Sequence, residues 1–252
     1  MNGDSLIAAL DLPPASRVDQ RIPKTLLVEN GAPTSADRRQ INEGIEELRW
    51  LYALKPTTVG VPEYRDVERE YLEIAVLRLT LRGRARAARL VELVHRAIPY
   101  PVLLLTEHEG QISLSAAHER WSQGEAGRTV LEDEVVAAEW DDGRDAGLWP
   151  AFRDALALGR QPRASLYALY QGWIDTLLAL HAARVTGTFA VADNAEWAAV
   201  RRVALRECAR LEGEIARLRA SAAKEEQIAR RVELNLELKR VEVAQAAARA
   251  NL

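Results

Sequence analysis

A heptad pattern in the last quarter of the chain constrains the fold more than any other feature of the sequence. Small and apolar residues alternate there at spacings of four and three residues. This spacing is typical of an α-helix that buries one narrow stripe, or seam, against another helix. The seam positions are Trp197, Arg201, Ala204, Cys208, Leu211, Ile215, Leu218, Ala222, Glu225, Ala229, Val232, Leu236, Lys239 and Val243.

A helix over this segment needs a partner for its seam. At ~1.5 Å per residue it would be roughly 75 Å long, which is too long to bury against one small domain. The partner is its own second half, a second copy of the chain, or another protein. We expect one continuous coiled-coil helix, because no Gly or Pro follows Gly213. A hairpin stays an open alternative, since the weak seam positions Ala222, Glu225 and Ala229 lie together.

We therefore predict that the C-terminal helix mediates oligomerisation or partner binding. Asn235 lies one step from the seam, and a polar residue there can set register or partner choice. The predicted contact residues are Leu211, Ile215, Leu218, Val232, Asn235, Leu236 and Val243.

The rest of the chain alternates between strand and helix patterns, and it is 48% hydrophobic overall, enough for a core. This order predicts an α+β fold, with a small mixed sheet and helices packed on it. The predicted strands are Ile22–Val28 at an edge, Tyr71–Leu81, Pro101–Thr106, Gln111–Ala117 and Val130–Trp140, with a hairpin turn at Glu109-Gly110. The predicted helices run from the cap Ser35 to Leu54 and from Ala85 to Ala97.

Two further helices are predicted after this domain, at Trp149–Leu158 and Leu166–Val185, the second ending at Gly187. We expect three parts: an α+β domain over residues 1–145, a helical module over 146–190 and the coiled-coil helix over 191–252.

Charge and cysteine content limit the classes of function. The formal net charge of −3 argues against nucleic-acid binding by the whole surface. Cys208 is the only cysteine, so no disulfide forms within the chain. Residues 1–20 lack the pattern of a signal peptide, and no apolar run approaches the ~20 residues of a membrane span. We expect a cytoplasmic protein without a membrane contact.

Residues that carry chemistry are scattered. His108 and His118 flank the predicted hairpin and would make a metal site with neighbouring glutamates only if they faced each other. The simpler interpretation is that both histidines are exposed residues of the hairpin. Cys208 is not predicted to be a nucleophile, because no His lies near it in the sequence to act as a base. We predict no catalytic residue, no metal site and no cofactor.

Two local motifs leave alternative functions open, a nuclease and a DNA-binding module. Glu73 lies on a predicted strand between helices, as in the cores of Mg²⁺-dependent nucleases, but it lacks the Lys two residues later. A basic cluster favours phosphate groups near a helix start, although acidic neighbours make a solvated face the simpler interpretation. The cluster is Arg78, Arg82, Arg84, Arg86 and Arg89.

Several stretches together resemble the bacterial family catalogued as domain of unknown function 4391. They are Arg21-Ile22-Pro23-Lys24, Ile45 to Val59, Glu73 to Val76, Ala97 to Pro101 and Arg231 to Lys239. The family has no assigned activity, so no catalytic residue is carried over. The resemblance implies genomic company, since members are commonly found beside helicases, DNA methyltransferases and other restriction or phage-defence genes.

The leading hypothesis is therefore a non-enzymatic accessory subunit of a bacterial DNA-acting defence system. It would bind a helicase, a methyltransferase or another defence subunit, or a second copy of itself, through its C-terminal coiled coil. Contact with nucleic acid would be indirect. The alternatives are a divergent Mg²⁺-dependent nuclease with Glu73 in its centre and a DNA-binding module that uses the basic cluster.

Overall fold

The computed structural model describes residues 2–122 and 129–252. The chain forms two compact units, Met1–Leu177 and Leu178–Leu252.

The strands and helices are numbered in chain order. The strands are β1 Arg17–Arg21, β2 Ile45–Leu54, β3 Tyr64–Arg65, β4 Glu70–Tyr71, β5 Ile74–Leu81, β6 Val102–His108, β7 Gln111–Ala116, β8 Glu119–Trp121, β9 Thr129–Leu131 and β10 Val136–Trp140. The helices are α1 Gly3–Ala9, α2 Lys24–Gly31, α3 Ser35–Gly44, α4 Pro56–Val59, α5 Ala87–Ala97, α6 Asp142–Asp145, α7 Trp149–Leu156, α8 Leu166–Thr186, α9 Ala195–Lys224 and α10 Ile228–Arg249.

Within the described residues, six strands form one mixed sheet in the order β1-β2-β5-β6-β7-β10. Strands β5 and β6 are parallel and are connected by α5, whereas the other neighbours are antiparallel. This architecture confirms the predicted α+β class with a mixed sheet. The small ladders β3-β4 and β8-β9 lie outside this sheet.

Helix α5 covers one face of the sheet. Its buried residues Leu90 and Val94 belong to one core cluster with Leu77 of β5 and Leu104 of β6. Alternate residues of a strand face the same side, so Thr106 of β6 also faces α5. Helix α5 therefore covers polar as well as apolar residues of the sheet.

Most of the predicted elements between residues 71 and 186 are confirmed within a few residues at their ends. The turn between β6 and β7 has positive φ at both Glu109 (50°) and Gly110 (79°), as a two-residue hairpin of type I′ requires. The confirmed elements are β5, α5, β6, β7, α7 and α8. The segment predicted as one strand, Val130–Trp140, instead contains β9 and β10, which pair with β8 and β7 respectively.

The predicted helix over residues 35–54 is wrong in its second half. Helix α3 ends at Gly44, and the chain continues as β2, which pairs with both β1 and β5. A Cβ on Gly44 would lie 2.9 Å from Leu90 Cδ1, so a larger residue would have to displace the Leu90 side chain of α5. Residues three apart face opposite sides of a regular strand, so the spacing of Ile45 and Leu48 predicts a helix. A register shift after Ile45 nevertheless brings both residues into the same core cluster. The cap is also one residue earlier than predicted, since Thr34 Oγ1 accepts a bond from the Asp37 N–H.

The predicted edge strand over residues 22–28 is also wrong. Strand β1 forms this edge of the sheet, and the chain from Lys24 to Gly31 is α2. Pro23 precedes the first helical turn with φ −64°, a position where its missing N–H costs nothing. Helix α2 then packs against α5, so its apolar residues are buried by helix packing and not by strand pairing.

The C-terminal segment is not one continuous helix. Helix α9 ends at Lys224, Glu225 leaves the helical conformation with ψ 123°, and α10 starts at Ile228. The two helices contact each other along their length, and Arg219 of α9 forms a 2.8 Å ion pair with Glu242 of α10. The break falls at the weak seam positions, because a helix with no apolar residue to bury there gains little by continuing.

Candidate functional site

The part of the predicted seam from Ala204 to Leu218 is buried on α9, whereas Trp197 at its start is exposed. Leu211, Ile215 and Leu218 are all buried on α9. Cys208 shares this buried side, and burial raises the pKa of its thiol. A thiol of this kind is a poor nucleophile at neutral pH, which fits the interpretation of Cys208 as a small seam residue.

The second half of the predicted seam has the opposite placement. Val232, Asn235, Leu236 and Val243 of α10 are exposed. The partly buried apolar residues of α10 form a different set at helical spacing: Leu234, Leu238, Val241 and Ala248. The chain reverses at residues 225–227. After this reversal, the side of α10 that faces α9 does not contain the predicted seam residues of α10.

An outer stripe of apolar side chains is consequently left exposed on α10. It consists of Ile228, Val232, Leu236 and Val243, which expose 71%, 51%, 57% and 64% of their surface. Lys239 occupies the seam position between Leu236 and Val243. Single exposed apolar residues are common, but a row at heptad spacing is the pattern by which one helix binds another.

The predicted basic cluster is not a free cationic patch. Arg78 forms a two-pronged ion pair with Glu107, at 2.9 and 2.6 Å, and also contacts Asp4 at 2.9 Å. Arg89 forms a similar pair with Asp37, at 2.8 and 3.0 Å. These bonds hold the pKa of the Asp37 carboxyl down at about 2. Both arginines therefore have carboxylate partners within the fold.

Arg82 caps the carboxyl end of α3, since its guanidinium donates to the carbonyl oxygens of Asn42 and Glu43. Lys24 does the same from α2, through its bonds to Asn42 O and Ile45 O. Cations stabilise this end of a helix. Arg84 and Arg86 are exposed, and no ion pair holds either side chain in the part of the chain that the structure describes.

Glu73 has a lysine neighbour, Lys55, which follows the end of β2 and caps α4. Its carboxylate lies 3.1 Å from Lys55 Nζ, and its side chain is almost fully buried. Across residues 2–122 and 129–252, no group of three or more His, Cys, Asp or Glu side chains is placed to hold a metal ion. The nuclease alternative and the DNA-binding alternative both stay predictions.

The two histidines considered for a metal site do not face each other. His108 pairs with Gln111 beside the hairpin turn. His118 lies beyond the end of β7, where Nδ1 bonds the Tyr71 hydroxyl at 2.5 Å and Nε2 bonds Gln171 Oε1 at 2.7 Å.

An aromatic cluster around His118 was missed by the sequence reasoning. The Tyr167 ring stacks on His118 with centroids 4.8 Å apart, and Tyr71 and Tyr170 meet the His118 ring edge-on. These contacts join residues about 50 positions apart, so no local pattern announces them. Both ring nitrogens of His118 are bonded, and we interpret the cluster as part of the core. Glu119 is buried next to it, and burial raises the pKa of its carboxyl well above the usual value.

Comparison with known proteins identifies a family and no relative. The profile of the family described as "Domain of unknown function (DUF4391)" matches residues 10–244, which confirms the resemblance noted in the sequence. No curated protein and no solved structure matches the chain. Among the described residues, no helix combines the length and the apolar character needed to cross a membrane.

Proposed function

The chain belongs to the DUF4391 family, and we propose that this member is a non-enzymatic interaction subunit of a bacterial DNA-acting defence system. Its binding surface in this proposal is the outer stripe of α10. One observation carries the proposal: four apolar residues of α10 stay exposed in one row, three of them at predicted seam positions, although α9 already buries its own part of the seam.

The partner would contribute a helix that covers the outer stripe. Amphipathic helices recognise one another through apolar residues at spacings of three and four, which Val232, Leu236 and Val243 supply. Glu233 and Arg240 flank the stripe on one side and would select a partner of complementary charge. Asn235 lies beside Leu236 and would limit the allowed registers.

The energy available from this contact is moderate. Val232 and Leu236 each keep about half of their surface exposed. Full burial of such a side chain is worth about 1.5–3 kcal/mol, so covering the exposed halves of both contributes about 2 kcal/mol. Removing both should weaken the complex roughly thirtyfold.

The assignment to a DNA-acting defence system rests on the genomic company that the family resemblance implies. The partner in this proposal is therefore a helicase, a methyltransferase or another defence subunit, and a homo-oligomer is the competing assembly. Any contact with nucleic acid would come through that partner.

Affinity purification from the native host, after nuclease treatment of the lysate, tests the proposal. We compare the tagged wild type with the double variant Val232→Ser/Leu236→Ser and with the matched control Glu237→Ser/Ala244→Ser. All four positions are exposed on α10, so each variant should keep the helical circular dichroism of the wild type.

We expect mass spectrometry to find one DNA-acting enzyme in stoichiometric amounts with the wild type and the control, and its loss from the stripe variant. Recovery of the chain alone, as a monomer or homo-oligomer, would contradict the partner model. An undiminished yield of the enzyme with the stripe variant would show that the outer stripe is not the binding surface.

A further inference from the structure

A cavity of about 190 Å³ lies between the amino-terminal half of α5 and the sheet. Ala87, Ala88 and Val91 of α5 form its apolar wall. Its polar floor comes from alternate residues of three neighbouring strands, which face α5: Thr106 and His108 of β6, Gln111 and Ser113 of β7, and Glu139 of β10. This site lies in the α+β unit and does not depend on the C-terminal hairpin.

Two polar atoms in this lining have no hydrogen-bond partner among the described residues. They are Thr106 Oγ1 and His108 Nε2, and both atoms are buried. Thr106 exposes only 3% of its surface. Burying a polar atom without a partner costs about 1–3 kcal/mol, so folded proteins rarely keep such atoms unless a ligand or water bonds them. Two of them in one cavity leave hydrogen-bonding positions that a ligand or a water molecule would fill.

The start of α5 adds a third polar feature to the same cavity. Residue Arg86 occupies the cap position, and its side chain does not cap the helix. Gln40 Oε1 accepts from the Arg86 N–H at 3.4 Å, and no side chain among the described residues bonds the N–H groups of Ala87 or Ala88. Ala87 and Ala88 carry these groups and line the cavity. The first N–H groups of a helix carry partial positive charge and bind anions. Arg84 and Arg86 flank this end of the helix and add positive charge.

We propose that this cavity binds a small metabolite through an acidic group, a phosphate or a carboxylate, held at the amino end of α5. Thr106 Oγ1 and the first-turn N–H groups of α5 donate to that group, and His108 donates when its proton is on Nε2. Glu139 of β10 lies beside Ser113 in the same lining and accepts from a hydroxyl or amino group elsewhere on the ligand. The volume is below the roughly 300–1,000 Å³ of sites for drug-sized molecules, which limits the ligand to a compact one.

Amide NMR of the full-length ¹⁵N-labelled chain tests this proposal. Sodium phosphate and sodium acetate are titrated separately, against sodium chloride at matched ionic strength. We expect the amide signals of Ala87 and Ala88 to move saturably with at least one of the two probes. Saturation with phosphate alone assigns a phosphate ester as the ligand class, and saturation with acetate alone assigns a carboxylic acid.

Two variants connect the binding to the cavity. Thr106→Val keeps the shape of the side chain but removes its hydroxyl, and should raise the dissociation constant about tenfold. Ala88→Glu places a carboxylate in the first turn, where it favours the helix, and should abolish binding. The matched control is Thr80→Val, because Thr80 of β5 points to the face of the sheet away from α5 and its variant should bind as the wild type does.

Three results would overturn the proposal. The first is the absence of saturable shifts with both probes. The second is equal affinity in the wild type, Thr106→Val and Ala88→Glu. The third is a loss of binding in Thr80→Val as large as in Thr106→Val, which would mean that the effect is not specific to the cavity.

Discussion

His95 should make the stability of this protein fall between neutral and mildly acidic pH. It lies on α5, is fully buried, and bonds Ser115 Oγ through Nε2 at 3.0 Å. Burial alone lowers the pKa of its imidazole to about 3, because a charged ring would lose its hydration there. The folded protein therefore keeps His95 neutral at pH values where the unfolded chain protonates it.

The sign and size of the effect follow from the two pKa values. The unfolded imidazole titrates near 6.5, so the stabilisation is complete above that pH and is lost as the pH falls from 6.5 toward 3. Each pH unit in this window costs about 1.4 kcal/mol. At pH 4.5 the wild type should have lost about 3 kcal/mol through His95 relative to pH 7.

Glu119 acts in the opposite direction over part of the same range. Burial raises the pKa of its carboxyl, so its contribution is complete below the unfolded value of 4.5 and falls as the pH rises above it. The net pH dependence of the wild type therefore does not isolate His95. The difference between the wild type and His95→Gln does, because Glu119 is present in both.

The assay is urea unfolding of both proteins at pH 7 and at pH 4.5. Glutamine keeps a polar group within reach of Ser115 and does not titrate. We expect the free-energy advantage of the wild type over His95→Gln to shrink by about 3 kcal/mol between pH 7 and pH 4.5. A constant difference would refute the reasoning, and would mean that water or a counter-charge reaches His95 in the folded protein.

Two further predictions concern charged groups. Asp37→Asn should lower the free energy of unfolding by about 1–3 kcal/mol at pH 7, because it breaks the ion pair between the Asp37 carboxylate and Arg89. Urea unfolding should show that this loss shrinks as the pH falls from 3.8, the value in the unfolded chain, toward about 2, the pKa of Asp37 in the folded protein. A loss independent of pH would contradict the ion-pair explanation. Glu73 is paired with Lys55, and we expect the purified chain to show no DNA cleavage when Mg²⁺ is added. Cleavage by the wild type that is lost in Glu73→Ala would establish the nuclease alternative instead.

Local patterns in the sequence determined a large part of the fold. Helix α5 is predicted by Leu90, Val91 and Val94 on one side, and the turn at Glu109-Gly110 requires positive φ at two adjacent residues. Such elements are stabilised by residues close together in the chain, so the sequence alone predicts them. The α+β class, the central strands and the buried seam of α9 follow in this way.

Only the tertiary structure decided the features that depend on distant partners. The spacing of Ile45 and Leu48 predicts a helix, and only the pairing of β2 with strands on both sides makes this segment a strand. The bond from Lys24 to Asn42 O likewise depends on α3 ending beside it. The cavity under α5 combines residues of one helix and three strands.

The outer stripe of α10 shows the same limit. The heptad determined that a helix must bury a seam, but the reversal at residues 225–227 decided which half of it is buried. Whether a seam residue is buried depends on which segment packs against it in three dimensions. The heptad spacing alone does not specify that segment.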